Sequence, residues 1–166
     1  MNEFSLAGFA AHLAEITVEA EHETRYGLEE AARIVEAEAK AEIGTYQGQA
    51  GPFDPWAELA DATKADRVRQ GFTENDPLLR TGEMRDSIEH TVQGKTAYVG
   101  TDNQIAVYQE LGTERIPPRS FLGGAAFRKA PEVAEIIGGR FIAALTGQAI
   151  PSGSLHIPHS GEGVSD

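Results

Sequence analysis

Residues 108–122 read YQELGTERIPPRSFL and join a strand-like run to a turn and then to a stiff loop. Val107 and Tyr108 have side chains that suit a pleated strand. Gly112 is the kind of residue at which such a strand ends. The first half of the stretch therefore predicts a strand from Ile105 to Leu111, followed by a turn.

The second half predicts a rigid loop that leaves one cation exposed. Pro117 and Pro118 favour extended backbone and donate no backbone hydrogen bond. Arg119 follows them, and a guanidinium on a rigid loop suits a directional, two-pronged contact with a neighbouring molecule. Phe121 and Leu122 then anchor the loop on a core. Two interpretations stay open: an assembly surface, or an ordinary strand, turn and helix start with an exposed arginine.

Three segments of the chain resemble a known family. A tyrosine, a Glu-x-Gly-Thr turn and a Pro-Arg-x-Phe-Leu run, in the order found in residues 108–122, resemble the tail-completion or neck proteins of tailed bacteriophages, which join head to tail. Residues 77–88, PLLRTGEMRDSI, are similar to the Leu-x-x-Thr-Gly-x-Leu-x-x-Ser-Ile segment of the same group. Residues 56–59, with Thr63 and Lys64, resemble a Trp-x-x-Leu…Thr…Lys stretch of the related virion-morphogenesis proteins.

The three segments occur in the family's order and lie within residues 55–126, between a long N-terminal helix and a C-terminal helix. Two positions depart from the family pattern. Met84 stands where leucine is usual, and Ser120 stands where the family prefers proline. The second departure implies a loop that is less rigid than in the family.

The resemblance implies a structural virion protein that forms a ring between the head connector and the tail tube. A six-fold ring is favoured over a twelve-fold ring, DNA passes through it without specific binding, and no membrane is involved. A head-side stopper or adaptor and a minor tail component are the alternatives within this class. The implied location is the virion neck, after assembly in the host cytoplasm. The implied assembly contacts are Tyr108, Glu110, Gly112, Thr113, Pro117, Pro118, Arg119 and Phe121, and the implied structural motif residues are Trp56, Leu79, Thr81, Gly82, Ser87 and Ile88.

The bulk composition is typical of one α+β domain with a real core. The chain has 166 residues, of which 40% are hydrophobic and 7% aromatic. A chain of this length normally forms one domain. The absence of cysteine excludes disulfides and thiolate metal sites. No apolar run reaches the length of a membrane span, and the N-terminus has no signal-peptide pattern. We expect no cofactor and no metal.

The formal net charge of −12 argues against electrostatic binding of nucleic acid, which needs clustered Lys and Arg. The acids have two compatible interpretations. They aid solubility on an outer face, or they line a channel wall along which DNA slides without sticking. The acids that we expect on such a wall are Glu29, Glu30, Glu36 and Glu38, together with the turn at 110–114.

The N-terminal region predicts two amphipathic helices, at 4–16 and 19–43, with Gly44 as the stop. The segment from Glu15 to Glu42 holds nine Glu against two Arg and one Lys. The second helix is therefore strongly acidic, and one of its faces must be solvated or must face something basic.

A further helix is predicted from Pro55 to Arg69, with Asp54 as its N-cap. Trp56 would anchor this helix in the core. Gly82 and Gly112 are expected to be backbone requirements at positive φ or at close chain contacts.

The middle of the chain predicts a helical turn at 83–87 and strands at 88–92, 96–100 and 105–111. These strands would form an antiparallel meander packed against the N-terminal and C-terminal helices, which is an α+β fold.

The last helix is predicted to open at Pro131 and to end at Gly147. Residues 1–150 would form the single neck domain. The polar residues 151–166 would form a tail that a partner chain holds in place.

A small hydrolase is the alternative of another class, with Asp86, Ser87 and His90 as its candidate catalytic residues. Ser87 lacks the tight strand-to-helix turn that exposes a nucleophile in such enzymes. His156, His159 and Glu162 have loosely metal-like spacing but no rigid element beneath them. The sequence therefore favours a structural protein without catalytic residues.

Overall fold

The computed structural model describes residues 5–146, apart from the side chain of Phe9. In chain order the elements are α1 (Leu6–Glu42), α2 (Asp61–Arg69), α3 (Glu83–Asp86), β1 (Glu89–Gln93), β2 (Thr96–Gly100), α4 (Gln104–Leu111) and α5 (Phe121–Thr146). A two-stranded antiparallel hairpin and the C-terminal helix both pack against the long N-terminal helix. The fold is therefore α+β, as the sequence predicts.

α1 is one unbroken helix of 37 residues, which makes it about 55 Å long. The two helices predicted at 4–16 and 19–43 are continuous, since no glycine or proline separates them. Its first turn is capped by Ser5, whose Oγ accepts the N–H of Gly8 at 3.1 Å. It ends two residues before Gly44, whose φ of +103° confirms the predicted stop.

α5 begins ten residues earlier than predicted. It starts at Phe121 and runs through Pro131, which the sequence placed at its first turn. The reason is a cap from outside the helix: the carboxylate of Glu110 accepts the N–H groups of Leu122 and Gly123, both at 2.9 Å. These are two of the donors that a helix start leaves unpaired, and an acid there also suits the helix dipole.

α1 and α5 run antiparallel and are joined by a close contact and by ion pairs. A Cβ built on Gly27 would lie 3.6 Å from the Cα of Ile137. The guanidinium of Arg140 donates to Glu30 at 2.7 Å and to Glu23 at 3.0 Å. The helices are thus fixed both in separation and in register.

Glu42 is buried between α1 and α5, with 2% of its surface exposed. Its Oε1 pairs with the guanidinium of Arg128, while its Oε2 has no hydrogen-bond partner. Burial raises the pKa of Glu42 to about 7, against the opposing charge of Arg128. The helix pair therefore contains a carboxyl group that titrates near neutrality.

The hairpin of β1 and β2 confirms the strands predicted at 88–92 and 96–100. Its half-buried inner residues are cross-strand partners: His90 with Val99, and Val92 with Ala97. The ring of His90 bonds to Glu36 through Nδ1 and to Glu29 through Nε2, the latter at 3.2 Å. The hydrogen bond to Glu36 is the main reason that the pKa of His90 is raised.

The third strand predicted at 105–111 is wrong, because this segment is the helix α4. The side chain of Asn103 accepts the N–H of Ile105 at 2.9 Å and so caps the first turn. The meander is therefore reduced to a hairpin, and only Ala106 of α4 is buried.

The helix predicted at 55–69 is also partly wrong, since α2 begins only at Asp61. The guanidinium of Arg119 donates hydrogen bonds to the carbonyl oxygens of Ala57 and Glu58. In a helix these oxygens would accept from residues four positions later. Trp56 is buried as predicted, although it lies in residues 54–60, which are neither helix nor strand and which we call the extended segment.

The core lies where α1, the extended segment, the hairpin and α5 meet. It consists of Ala39, Ile43, Trp56, Met84, Ile88, Ala106, Phe121 and Ala125. No helix within residues 5–146 is long and apolar enough to cross a membrane. Gly147, the predicted helix end, and the tail at 151–166 lie outside the described residues.

Candidate assembly interface

The three segments singled out in the sequence line one cleft of about 660 Å³. The extended segment and α2 form one wall, the α3 turn forms another, and α4 with the loop after it forms the third. Its cations are Arg67, Arg80, Arg115 and Arg119, and we call it the arginine cleft. Apolar lining comes from Leu59, Leu78, Met84, Ile105, Ile116 and Pro117.

Arg119 is buried, so the prediction of an exposed cation is wrong. Only 5% of its surface is exposed. Its Nε and Nη2 donate to the carbonyl oxygen of Ala57 at 3.1 and 2.8 Å, and Nη2 also donates to that of Glu58 at 3.2 Å. Desolvation lowers the pKa of Arg119. Its first role is therefore to tie the loop after α4 to the extended segment before α2.

Arg67 is a second buried guanidinium in the cleft, and it was not predicted from the sequence. It is 4% exposed. Its Nε donates to the carbonyl oxygen of Thr73 at 2.7 Å, and its Nη2 donates to that of Leu79 at 2.6 Å. The sequence offers no signal for this role, because Arg67 is one of several charged residues on a short helix.

The turn after α4 confirms the backbone requirement predicted at Gly112. Its φ is +73°, and a Cβ there would lie 2.9 Å from the carbonyl oxygen of Ile116 and from the nitrogen of Pro118. Thr113 closes the same turn, since its N–H donates to the Ile116 carbonyl at 2.8 Å. Both the conformation and the space at Gly112 exclude a side chain.

Gly82 also has a positive φ, of +90°, which confirms the prediction for its conformation. A Cβ there would meet only the side chains of Arg85 and Asp86, at 3.4 and 3.5 Å. Conformation rather than space is therefore the constraint at Gly82. Before it, the Thr81 hydroxyl accepts the N–H of Glu83 at 3.4 Å.

The other motif residues lie in the core or against it, on the inner side of the cleft. Ile88 and Phe121 are fully buried in the core. Leu79 packs against that core and lies close to Gly44. Ser87 shares a hydrogen bond of 2.7 Å with the hydroxyl of Thr101.

The eight residues assigned to assembly divide into two groups. Tyr108, Thr113, Pro117 and Pro118 are exposed, whereas Glu110, Gly112, Arg119 and Phe121 face inward and shape the loop. Glu110 in particular caps α5 and is not a free contact residue. Four of the eight residues are therefore exposed at the surface, where another molecule could touch them.

α4 adds an apolar surface that the strand prediction concealed. Leu111 is 74% exposed and Ile105 is 60% exposed. Val107 and Tyr108 are exposed beside them, and we call these four residues the α4 patch. Large contiguous apolar patches on a protein surface are typical of interaction sites, so the α4 patch is a candidate contact surface.

The candidate catalytic residues do not form a catalytic group. The hydroxyl of Ser87 bonds to Thr101 and to the carbonyl oxygen of Met84. The ring of His90 is held by two glutamates of α1, and Asp86 pairs with Arg85 at 2.9 Å. Residues 5–146 contain no group of three His, Asp or Glu side chains placed to hold a metal ion. His156, His159 and Glu162 lie outside the described residues.

The acids expected on a channel wall have partners within the subunit. Glu30 pairs with Arg140, Glu36 pairs with His90 of the hairpin as well as with Lys40 of α1 itself, and Glu38 pairs with Lys129 at 3.7 Å. Glu29 bonds to His90. These four acids stabilise the packing of α1 against its neighbours, whatever surface they also face.

A scan against protein-family models, a search of curated proteins and a search of solved structures each found no match to this chain.

Proposed function

We propose that this chain is a structural subunit of the neck of a tailed bacteriophage. In this role it forms a ring that completes the tail and joins it to the head connector around the DNA channel. The observation that carries the proposal is the convergence of the three family-like segments on the arginine cleft. Segments that only filled a core would not need to share one open surface.

The α4 patch supports the same proposal, because its four apolar side chains are exposed in the single subunit. Four large apolar side chains on an eight-residue helix leave surface that a neighbouring copy would bury. Identical subunits that join through two different patches close into a ring when the rotation between them closes. Six-fold closure is favoured, and twelve-fold closure is the alternative.

The charge of the chain suits passage of DNA without binding. A net charge of −12 repels phosphates. Completion of the tail is favoured over a head-side stopper or adaptor, because the Glu-x-Gly-Thr and Pro-Arg-x-Phe-Leu segments resemble the tail-completion proteins best. A minor tail component is the remaining alternative, and it differs in where the copies lie along the particle.

The test is the oligomeric state, measured by light scattering on the purified chain and by cryo-EM of particles that contain it. We expect a six-fold ring at the head–tail junction. Leu111→Ser should weaken the ring, whereas Tyr98→Ser on the outer face of the hairpin should not, although both side chains are exposed. A monomer with no like neighbour in the particle would refute the ring, and copies away from the neck would refute the location.

A further inference from the structure

The arginine cleft carries positive charge that the subunit neutralises only in part. Arg80 pairs with Asp66 at 2.8 Å, and Glu58 and Glu83 also line the cleft. Within residues 5–146, neither Arg67 nor Arg119 has a carboxylate within ion-pair distance, and both are more than nine-tenths buried. Exposed Arg115 at the mouth of the cleft has no ion pair with the described residues either. Buried charges in proteins are usually paired, because their desolvation is costly. In a chain with a net charge of −12, such a cleft is suited to acidic groups from another molecule.

The first half of α1 carries the complementary feature. The segment 15–26 contains four Glu and one Arg. Glu15, Glu19 and Glu21 have no ion pair with any residue that the structure describes, whereas most acids farther along α1 do. Three of the four glutamates in this segment are therefore not paired within the described residues, and the fourth, Glu23, pairs with Arg140.

The same part of α1 presents apolar surface beside its acids. Val18 is 68% exposed and Tyr26 is 50% exposed. At 3.6 residues per turn, Glu15, Val18, Glu19 and Tyr26 share one broad side of the helix. Gly27, which meets α5, lies on another side. We call the side formed by Glu15, Val18, Glu19 and Tyr26 the acidic face.

We propose that the acidic face of α1 in one copy docks onto the arginine cleft and the α4 patch of the next copy. This inference rests on the proposed ring and names the two surfaces that make it. Glutamates of the acidic face approach exposed Arg115 at the mouth of the cleft, while Val18 and Tyr26 cover the apolar residues of α4. The two surfaces differ, so the contact is heterologous, as a ring requires.

A second copy fits the cleft better than duplex DNA does. The net charge of −12 opposes the approach of a duplex, and the apolar lining of the cleft offers no contact for its phosphates. The acidic face brings carboxylates and apolar side chains together on one helix, which matches a cleft that is lined by both kinds of residue.

Charge reversal tests the pairing directly. Arg115→Glu and the double change Glu15→Arg, Glu19→Arg should each weaken association of the full chain at least tenfold, measured by sedimentation velocity. Combining all three changes in one chain should restore most of the association. Lys95→Glu and Glu89→Arg, on the exposed hairpin, are the matched controls and should change little. All these positions are exposed, and circular dichroism checks that each variant is folded.

Cross-linking tests the same contact on assembled particles. The chain has no cysteine, so Glu19→Cys with Arg115→Cys creates a unique thiol pair. A short bis-maleimide should then link neighbouring copies into a ladder on a denaturing gel, whereas Glu89→Cys with Lys95→Cys should give no ladder.

The outcomes separate this inference from the proposed function. Restored association in the triple variant, with the ladder, supports the contact. A wild-type ring that tolerates the reversals and gives no ladder would overturn the inference but leave the ring in place. Loss of duplex-DNA binding in Arg115→Glu with an unchanged ring would also overturn it, in favour of DNA. A wild-type chain that is monomeric both in solution and on the particle would refute the proposed function itself.

Discussion

Replacing Arg119 by alanine should lower the free energy of unfolding by about 3 kcal/mol. The side chain makes three hydrogen bonds from a buried cation to the carbonyl oxygens of Ala57 and Glu58. A hydrogen bond to a charged group contributes about 1.5–3 kcal/mol, so three of them set an upper bound of roughly 9 kcal/mol.

Three effects reduce that bound. Two of the hydrogen bonds share the oxygen of Ala57. Ala57 and Glu58 are exposed residues, so water can replace part of the lost contacts. Removing a buried guanidinium without an acid partner also relieves a desolvation cost. A loss of about 3 kcal/mol remains, whereas the exposed arginine that the sequence predicts would change stability by only about 0.5 kcal/mol.

Urea unfolding followed by the fluorescence of Trp56 measures this difference. Arg119→Ala should shift the midpoint without changing the slope, since the folded and unfolded surfaces stay alike. Arg115→Ala is the matched control, because it lies in the same loop and makes no side-chain hydrogen bond within residues 5–146; it should change stability by less than about 0.5 kcal/mol. Equal midpoints for the two variants would refute the structural role of Arg119.

Three further changes test other parts of the fold. Gly112→Ala should lower the free energy of unfolding by about 2 kcal/mol or more, since φ is +73° and the Cβ would lie 2.9 Å from backbone atoms. Gly94→Ala is the control: φ is +60° and the space around it is open, so the loss should be about 1 kcal/mol. The pKa of Glu42 is raised from 4.5 to about 7 in the folded state. Its contribution to the free energy of unfolding is therefore full below pH 4.5 and is lost as the pH rises through 7. Relative to Glu42→Gln, the stability of the wild type should fall by about 3 kcal/mol over this range. The pKa of His90 is also raised in the folded state. The stability that His90 contributes is therefore full below pH 6.5 and is lost as the pH rises through its folded-state pKa. His90→Gln should not show this decrease in stability with rising pH.

These changes are read from chemical unfolding at several pH values, each variant against the wild type. Equal costs at Gly112 and Gly94 would contradict the close contact at Gly112. A constant difference between wild type and Glu42→Gln from pH 4 to pH 8 would contradict the raised pKa of Glu42. Stability of His90→Gln that falls with pH as steeply as that of the wild type would show that His90 is not linked to folding.

Features set by a few neighbouring residues were predictable from the sequence. The glycines at 44, 82 and 112 were expected at chain reversals or close contacts, and each has a positive φ. The hairpin followed from alternation on either side of Gly94, and the burial of Trp56 followed from its size. In each case the deciding interaction lies within a turn or strand pair.

Features set by distant partners were not predictable. Val107 and Tyr108 suit a strand, but within residues 5–146 no strand pairs with them, and the cap at Asn103 starts a helix instead. The acid that caps α5 is Glu110, eleven residues before that helix begins. The burial of Arg119 depends on carbonyl oxygens about 60 residues earlier, at a distance along the chain that periodicity does not reach.

Because Glu110 of α4 caps the first turn of α5, a tilt of the short helix α4 acts on the start of a much longer helix. Two hydrogen bonds of 2.9 Å tie α4 to the first turn of α5, and α5 then runs for 26 residues, or about 39 Å. If α4 and α5 tilt together by about 5°, the far end of α5 moves by roughly 3 Å. Ion pairs between α5 and α1 pass that displacement to the longest helix of the subunit. A contact made at α4 would therefore act directly on the start of α5, and any tilt that it imposed would produce its largest displacement at the far end of that helix.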